Sequence, residues 1–176
     1  MKICVFSDIH GSVEATKKMV ERAKGCDTTV LCGDIYRRYG QTDENLEIAR
    51  LLSRLPDLRV AQGNNDYSGD EQFSPFVYSD YVLLRRFHRT LFFTHGHRYN
   101  AYRFPPILND GDVICYGHTH RRSCMTLNGL IVLNVGSVAS PRDGVASYIE
   151  MDDEGFYFKD MDGNLLFGKR WTEFGN

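Results

Sequence analysis

The sequence predicts an α/β protein, and two observations carry that expectation. Over the first sixty residues short apolar runs alternate with amphipathic stretches, in the order strand, helix, strand, helix, strand. That order implies a parallel sheet with crossover helices. Beyond residue 80 the apolar runs become closely spaced, which reads as hairpins. A third observation concerns function: Asp, Asn and His residues recur just after apolar runs. In parallel sheets, sites collect beyond the carboxyl ends of the strands.

The 176 residues suit one domain, residues 1–176, with a full core. The chain is 42% hydrophobic and 25% charged, with a formal net charge of -2. That balance leaves no general footprint for a stable nucleic-acid complex. No apolar run is long enough for a membrane span, so no membrane partner is expected. The N-terminus enters a strand directly, and no signal peptide is read there. Cys4, Cys26, Cys32, Cys115 and Cys124 lie scattered without a C-x-x-C. They are expected to be reduced, and the protein cytoplasmic.

Ile3-Cys4-Val5-Phe6 reads as a buried first strand, followed by Ser7-Asp8-Ile9-His10. An extended chain repeats every two residues, so Asp8 and His10 are expected on one side, as half of a metal site. Ser12 is a plausible N-cap for a helix with a partial stripe of Val13, Met19, Val20 and Ala23, closed by Gly25. Residues 28–32 form a second strand, ending in Gly33-Asp34. Tyr36 to Asp43 is a polar loop whose Arg37 and Arg38 are read as solvated. A helix from Glu44 to Ser53 carries Leu46, Ile48, Ala49, Leu51 and Leu52, and Pro56 ends it. Residues 58–61 form a third strand, ahead of Gly63-Asn64-Asn65-Asp66.

Residues 81–87 and 90–94 read as a hairpin turning near His88-Arg89, and Thr94 leads into His95-Gly96-His97. Pro105-Pro106 marks an irregular stretch from Arg98 to Asp110. Residues 112–116 form a strand ending in Gly117-His118-Thr119-His120. Residues 123–127 and 130–135 pair around Asn128-Gly129, a strong turn signal. Residues 145–151 and 156–161 read as final strands, and the tail from Gly163, with Trp171, has no clear pattern.

Five of the six histidines therefore fall in three motifs at strand ends. Asp8, His10, Asp34, Asn64, His95, His118 and His120 supply seven candidate ligands. Imidazole, carboxylate and one amide oxygen, without thiolate, suit divalent Mn, Fe, Co, Ni or Zn. Seven ligands exceed the need of one ion, whereas two ions sharing Asp34 would use them all. Two such ions, roughly 3.5–4 Å apart, would hold a bridging hydroxide and clamp a phosphate for in-line displacement.

Asp8-x-His10, Gly33-Asp34, Gly63-Asn64-x-Asp66, Thr94-His95-Gly96-His97 and Gly117-His118-Thr119-His120, in that order, resemble the calcineurin-like metallophosphoesterase family. Asn134-Val-Gly-Ser-Val-Ala-Ser-Pro141 resembles its compact phosphodiesterase branch, the YfcE-like proteins. The resemblance implies an α/β (α+β sandwich) fold of two mixed β-sheets packed face to face and flanked by helices. It implies one divalent ion on Asp8, His10, Asp34 and His120, and a second on Asp34, Asn64, His95 and His118. Manganese is the first expectation, with Ni, Fe, Co or Zn as alternatives. The implied function is a phosphodiesterase acting on a small phosphodiester or other phosphoester by attack of the metal-bridging hydroxide.

Many members carry a histidine after the Asn ligand, to contact phosphate or protonate the leaving group. Here that position is Asn65, which donates a hydrogen bond but supplies no proton near neutral pH. Asn65 and His97 are the candidate catalytic residues, and Asp66 is read as a supporting carboxylate. The alternatives are a non-catalytic scaffold of the same fold, as in the retromer subunit resembling this family, and a phosphomonoesterase. The sequence is compatible with a homo-oligomer.

Overall fold

The structure, a computed structural model, describes residues 1–174. Its first sheet begins with β1 (Ile3–Phe6), β2 (Thr28–Leu31), β3 (Leu58–Ala61) and β4 (Tyr78–Ser79). These four strands run parallel. Helix α1 (Val13–Arg22) crosses from β1 to β2, and α2 (Asp43–Leu52) from β2 to β3. Both start where sequence chemistry starts them: the Ser12 hydroxyl accepts from Ala15 N, and the Thr42 hydroxyl from Asn45 N.

The second sheet holds β5 (Val82–Arg86), β6 (Arg89–Phe93), β7 (Val113–Tyr116), β8 (Ser123–Leu127) and β9 (Leu130–Asn134), in the order β5-β6-β7-β9-β8. The chain then returns to the first sheet as β10 (Ser147–Met151), β11 (Gly155–Asp160) and β12 (Leu165–Arg170). That sheet has the order β12-β11-β10-β1-β2-β3-β4. Both sheets are mixed. The hairpins expected beyond residue 80 are present, but β6, β7 and β9 lie parallel to one another. The long irregular excursion between β6 and β7 makes that crossover.

The period-two alternation of β1 divides the interior into layers. Ile3 and Val5 face the second sheet, in a core with Leu91, Phe93, Val113, Cys115, Ile131 and Leu133. Cys4 and Phe6 face the other way, packing with Met19 of α1 and Ile48 and Leu52 of α2. Both faces of β1 are covered, so it reads as a continuous apolar run. Among the described residues, α-helices flank only the first sheet. The outer face of the second, with Phe92, Ile114 and Val132, is covered by Tyr99, Phe104 and Leu108 of the irregular stretch.

The tail adds an edge strand, β12, and a short 3-10 turn, Trp171–Phe174. Trp171 is buried, donates from Nε1 to Asp152 O at 2.7 Å, and stacks on Phe87 at 5.8 Å between centroids.

One expectation is overturned. Cys4 and Cys26 form a disulfide, with Cα atoms 6.1 Å apart. Helix α1 brings the chain back beside β1, so two cysteines 22 residues apart meet without any short spacing motif. Cys32, Cys115 and Cys124 are free thiols.

Candidate metal centre

All seven candidate ligands meet at one edge of the sandwich, beyond the carboxyl ends of β1, β2, β3, β6 and β7. They arrive by a route the extended-chain argument did not foresee. Strand β1 stops at Phe6, and Asp8 and His10 then adopt φ of 59° and 47°. Asp34 has φ 55°, and His118 and His120 have 64° and 59°. Five of the seven thus sit in the left-handed region, which costs a side-chain-bearing residue of order 1–3 kcal/mol. Tight turns at the strand ends, rather than strand pleat, aim these groups inward. Backbone hydrogen bonds hold the turns together: Asp8 N donates to Gly33 O (3.0 Å) and His10 N to Asp34 O (2.9 Å).

Two glycines make the convergence sterically allowed. A Cβ at Gly117 would overlap the Ser7 hydroxyl and the Asp8 carboxylate, and one at Gly63 would overlap Asp34. Gly117 thereby lets the turn after β7 close on the turn after β1. His118 N seals this by donating to Asp8 Oδ2 at 3.0 Å.

The ring nitrogens have defined roles. His95 Nδ1 lies 2.7 Å from Cys32 O, and His120 Nδ1 lies 2.8 Å from Ser140 O. A carbonyl only accepts, so each Nδ1 carries a proton and each neutral ring presents an Nε2 lone pair. His120 Nε2 faces Asp8 Oδ1 at 3.2 Å and His10 Nε2 at 3.1 Å. His10 Nε2 lies 3.5 Å from Asp34 Oδ2. His95 Nε2 faces Asn64 Oδ1 at 3.0 Å, His118 Nδ1 at 3.1 Å and Asp34 Oδ2 at 3.4 Å. The Nε2 lone pairs of His95 and His120 therefore point at carboxylate and amide oxygens. Asp8 Oδ1 is buried without a hydrogen-bond donor. Such an arrangement is costly unless a cation or a proton sits between the acceptors. The donor set fits divalent metal: Asp8, His10 and His120 form one group of mutually close ligand atoms, and Asp8, Asp34 and His95 another.

Burial would raise the Asp8 carboxyl, but the imidazoles of His10, His120 and His95 packed around it outweigh that and hold it far below the usual carboxylate range. Asp34 is lowered likewise, its burial outweighed by His95 and Asn65. Burial would lower His95, yet Asp34 and Asp8 outweigh it and raise it.

Asn65 does not extend toward an open phosphate position. Its backbone N donates to Asp34 Oδ1 at 3.0 Å and its Nδ2 to Asp34 Oδ2 at 2.7 Å. Asp66 accepts at Oδ2 from Asp34 N and Gly63 N, and at Oδ1 from Ile35 N, all at 2.8 Å. His97 is exposed beside the cluster, its ring 5.5 Å from His95 and 6.5 Å from His118 between centroids. Partial burial and the positive charges of His95, Arg98 and His118 lower its pKa. His88, outside every motif, lies exposed in the β5–β6 turn.

Sequence reasoning missed two supports. Ser137 Oγ donates to Asp8 O at 2.9 Å, and Asn134 Nδ2 donates to Gly117 O at 2.8 Å. Both belong to the stretch from Asn134, the last residue of β9, to Pro141 that carried the branch resemblance.

Comparison with known proteins matches residues 1–154 to the calcineurin-like phosphoesterase superfamily domain. Phosphodiesterase YfcE of Escherichia coli is 32% identical over 166 residues, covering 88% of this chain and 89% of that one. A probable metallophosphoesterase of Bacillus subtilis, YsnB, is 30% identical over 94% of this chain and 95% of its own. The solved structure of the E. coli YfcE phosphoesterase superposes with a TM-score of 0.86 at 26% identity, over 97% of this chain and 99% of that one.

Proposed function

On the premise that this chain belongs to the calcineurin-like phosphoesterase superfamily, we propose the following assignment of its site. The protein is a metal-dependent phosphodiesterase acting on a small phosphoester. Asp8, His10, Asp34 and His120 hold one divalent ion; Asp34, Asn64, His95 and His118 hold the other. The observation that carries this reading is the facing of imidazole lone pairs onto carboxylate and amide oxygens around a donor-less Asp8 Oδ1. When bound, divalent ions supply a nucleophile from water at neutral pH and neutralise phosphoryl charge.

The chain's own residues orient that chemistry. The Cys32 and Ser140 carbonyls fix the tautomers of His95 and His120, so the metal-facing nitrogens are unprotonated. Asp66 and Asn65 lock both the backbone and the carboxylate of Asp34. Asn65 is a positioning residue for Asp34 and supplies no proton to a leaving group. His97, exposed beside His118, is the side chain left to contact the phosphoryl oxygens or the leaving group. With no strong general acid, esters with good leaving groups are favoured.

Manganese is the metal proposed, because hard oxygen donors share the site with imidazole and thiolate is absent. A cytoplasmic location is part of the proposal; the three free thiols support it, while the Cys4–Cys26 disulfide counts against it. No helix among the described residues is long and apolar enough to cross a membrane.

The test is hydrolysis of bis-p-nitrophenyl phosphate and of the p-nitrophenyl monoester, with and without Mn²⁺. Metal-dependent turnover with the diester preferred is expected. A metal-loaded, folded protein inert toward both esters overturns the reading.

A further inference from the structure

Beside the metal centre two tyrosines stand in water where burial does not account for them. Tyr39 and Tyr67 are 70% and 54% exposed, yet their rings touch, with centroids 5.4 Å apart and planes tilted by 59°. Contact between them leaves most of each ring wet, so mutual cover does not explain the pair. The tilt opens a wedge between two aromatic faces.

The wedge is built rather than incidental. Tyr39 rides on the loop between β2 and α2, which buried polar side chains hold from beneath. Asn45 Nδ2 donates to Arg38 O (2.7 Å) and Gly40 O (2.8 Å), and Asp70 Oδ1 accepts from Gly40 N at 2.8 Å. Asn45 and Asp70 are both buried. Tyr67 lies back over Gly69, where a Cβ would overlap its ring. Asp70 thus ties the Tyr39 loop to the 3-10 turn (Ser68–Gln72) that follows Tyr67.

The segments that carry the wedge adjoin the site. Tyr67 is two residues beyond Asn65, which bonds Asp34, so the Cα atoms of Tyr67 and Asn65 are within about 7 Å. On the other flank, Arg37 packs on Gly11, the residue after His10; a Cβ there would meet Arg37 Cβ at 2.6 Å. Arg37 and Arg38 are exposed, and neither has a carboxylate partner among the described residues. Unpaired guanidinium groups beside an ester site favour anionic substrates.

We propose that Tyr39 and Tyr67, flanked by Arg37 and Arg38, form a subsite for a planar aromatic group borne by the phosphoester. The inference rests on the phosphoesterase reading and narrows its substrate class to esters carrying an aryl group or a nucleobase. Aromatic stacking is sequence-tolerant and short in reach, so it selects a ring at a set distance from phosphorus without naming one ring.

The experiment is calorimetric titration of the Mn²⁺-loaded protein with methyl phosphate, phenyl phosphate and thymidine monophosphate. Phenyl phosphate is expected to bind about tenfold tighter than methyl phosphate. In Tyr39→Ala and in Tyr67→Ala that ratio is expected to fall toward one, while Tyr39→Trp retains it. Tyr39→Leu, which keeps apolar area without the π-face, guards against a folding effect and is expected to lose the preference. Equal affinities in the parent protein, or a ratio that survives both alanine variants, overturns the subsite. Tighter binding of thymidine monophosphate than of phenyl phosphate assigns a nucleobase; equal binding assigns a simple aryl group. Ester hydrolysis is measured separately. A ring preference without turnover sinks the phosphodiesterase reading and leaves the subsite, and turnover without ring preference does the reverse.

Discussion

His95 Nδ1 donates to the Cys32 carbonyl at 2.7 Å, which ties a histidine of the second sheet to the end of a strand in the first. The bond sets the imidazole tautomer by geometry, because the carbonyl has no proton to give. His95 Nε2 is thereby committed to the cluster formed with Asp34, Asn64 and His118.

Asp34 is the carboxylate shared between the two proposed ion positions. Asp34→Asn removes the negative charge and is expected to lower metal stoichiometry from about two to one or less. Phosphodiester turnover should fall by at least about 100-fold. Metal analysis after gel filtration, alongside the ester assay, checks both; full metal content in this variant would contradict the shared role.

Asp66 touches no candidate ion position, yet three backbone N–H groups depend on it. Asp66→Ala leaves those donors unsatisfied, and its expected cost is about 1–3 kcal/mol in urea unfolding. Activity should drop roughly 10–100-fold, because Asp34 loses its support. A variant as active and as stable as the parent would refute this.

Gly117→Ala places a methyl group where the Ser7 hydroxyl and the Asp8 carboxylate already are. The backbone must shift, at an expected cost of about 1–3 kcal/mol. The displacement falls on Asp8, so metal affinity should weaken more than thermal stability does. Gly144→Ala, where no heavy atom lies within 4 Å of the added Cβ, serves as the comparison. Its φ of 86° still brings backbone strain, but its metal affinity should remain.

Glu150 provides a pH prediction away from the site. Burial alone would raise its pKa, but the Lys159 ammonium (2.7 Å) and the Tyr148 hydroxyl (3.0 Å) outweigh that and lower it. A carboxyl lowered in the folded state contributes stability above the usual glutamate range. It loses that contribution as pH falls through the folded value. The stability advantage of the parent over Glu150→Gln should therefore be present at neutral pH and shrink on acidification. Thermal melts of both proteins across that interval check it; a difference that grows toward acid would reverse the sign.

Asn65→His tests the proposed shortage of proton donors. The variant is expected to gain on alkyl phosphodiesters relative to p-nitrophenyl esters, because a protonated imidazole assists poor leaving groups most. An unchanged alkyl-to-aryl ratio in steady-state assays would argue against that shortage.

Much of this architecture could be read from residue order. A continuous apolar run located β1, because both of its faces are covered; β2, which opens on two threonines, and β3, which carries an exposed Arg59, showed only shorter apolar runs. Asn128-Gly129 announced the β8–β9 hairpin, and both residues take positive φ there, at 51° and 76°. Strand β12 was hidden because Leu165, Leu166 and Phe167 are exposed on an edge, and Gly168 interrupts the pattern. Strand β4 has two residues, too short for any period to show. The ligand residues were recognisable by type and position, but their left-handed backbone was not. The pleat argument for Asp8 and His10 reached the right neighbourhood through the wrong geometry. The Cys4–Cys26 disulfide left no trace in spacing, since it depends on where α1 returns the chain.

The cage is contributed by both sheets: Asp8, His10, Asp34 and Asn64 follow strands of one, and His95, His118 and His120 follow strands of the other. An ion gripped from both sides cannot stay gripped if the halves part, so its affinity is thermodynamically linked to folding. At a free concentration 100 times its dissociation constant, one such ion adds about 2.7 kcal/mol to the unfolding free energy. Chelation would then lower the melting temperature of the whole molecule as well as silence one of its edges, making cation supply a determinant of how long the chain survives in its native form.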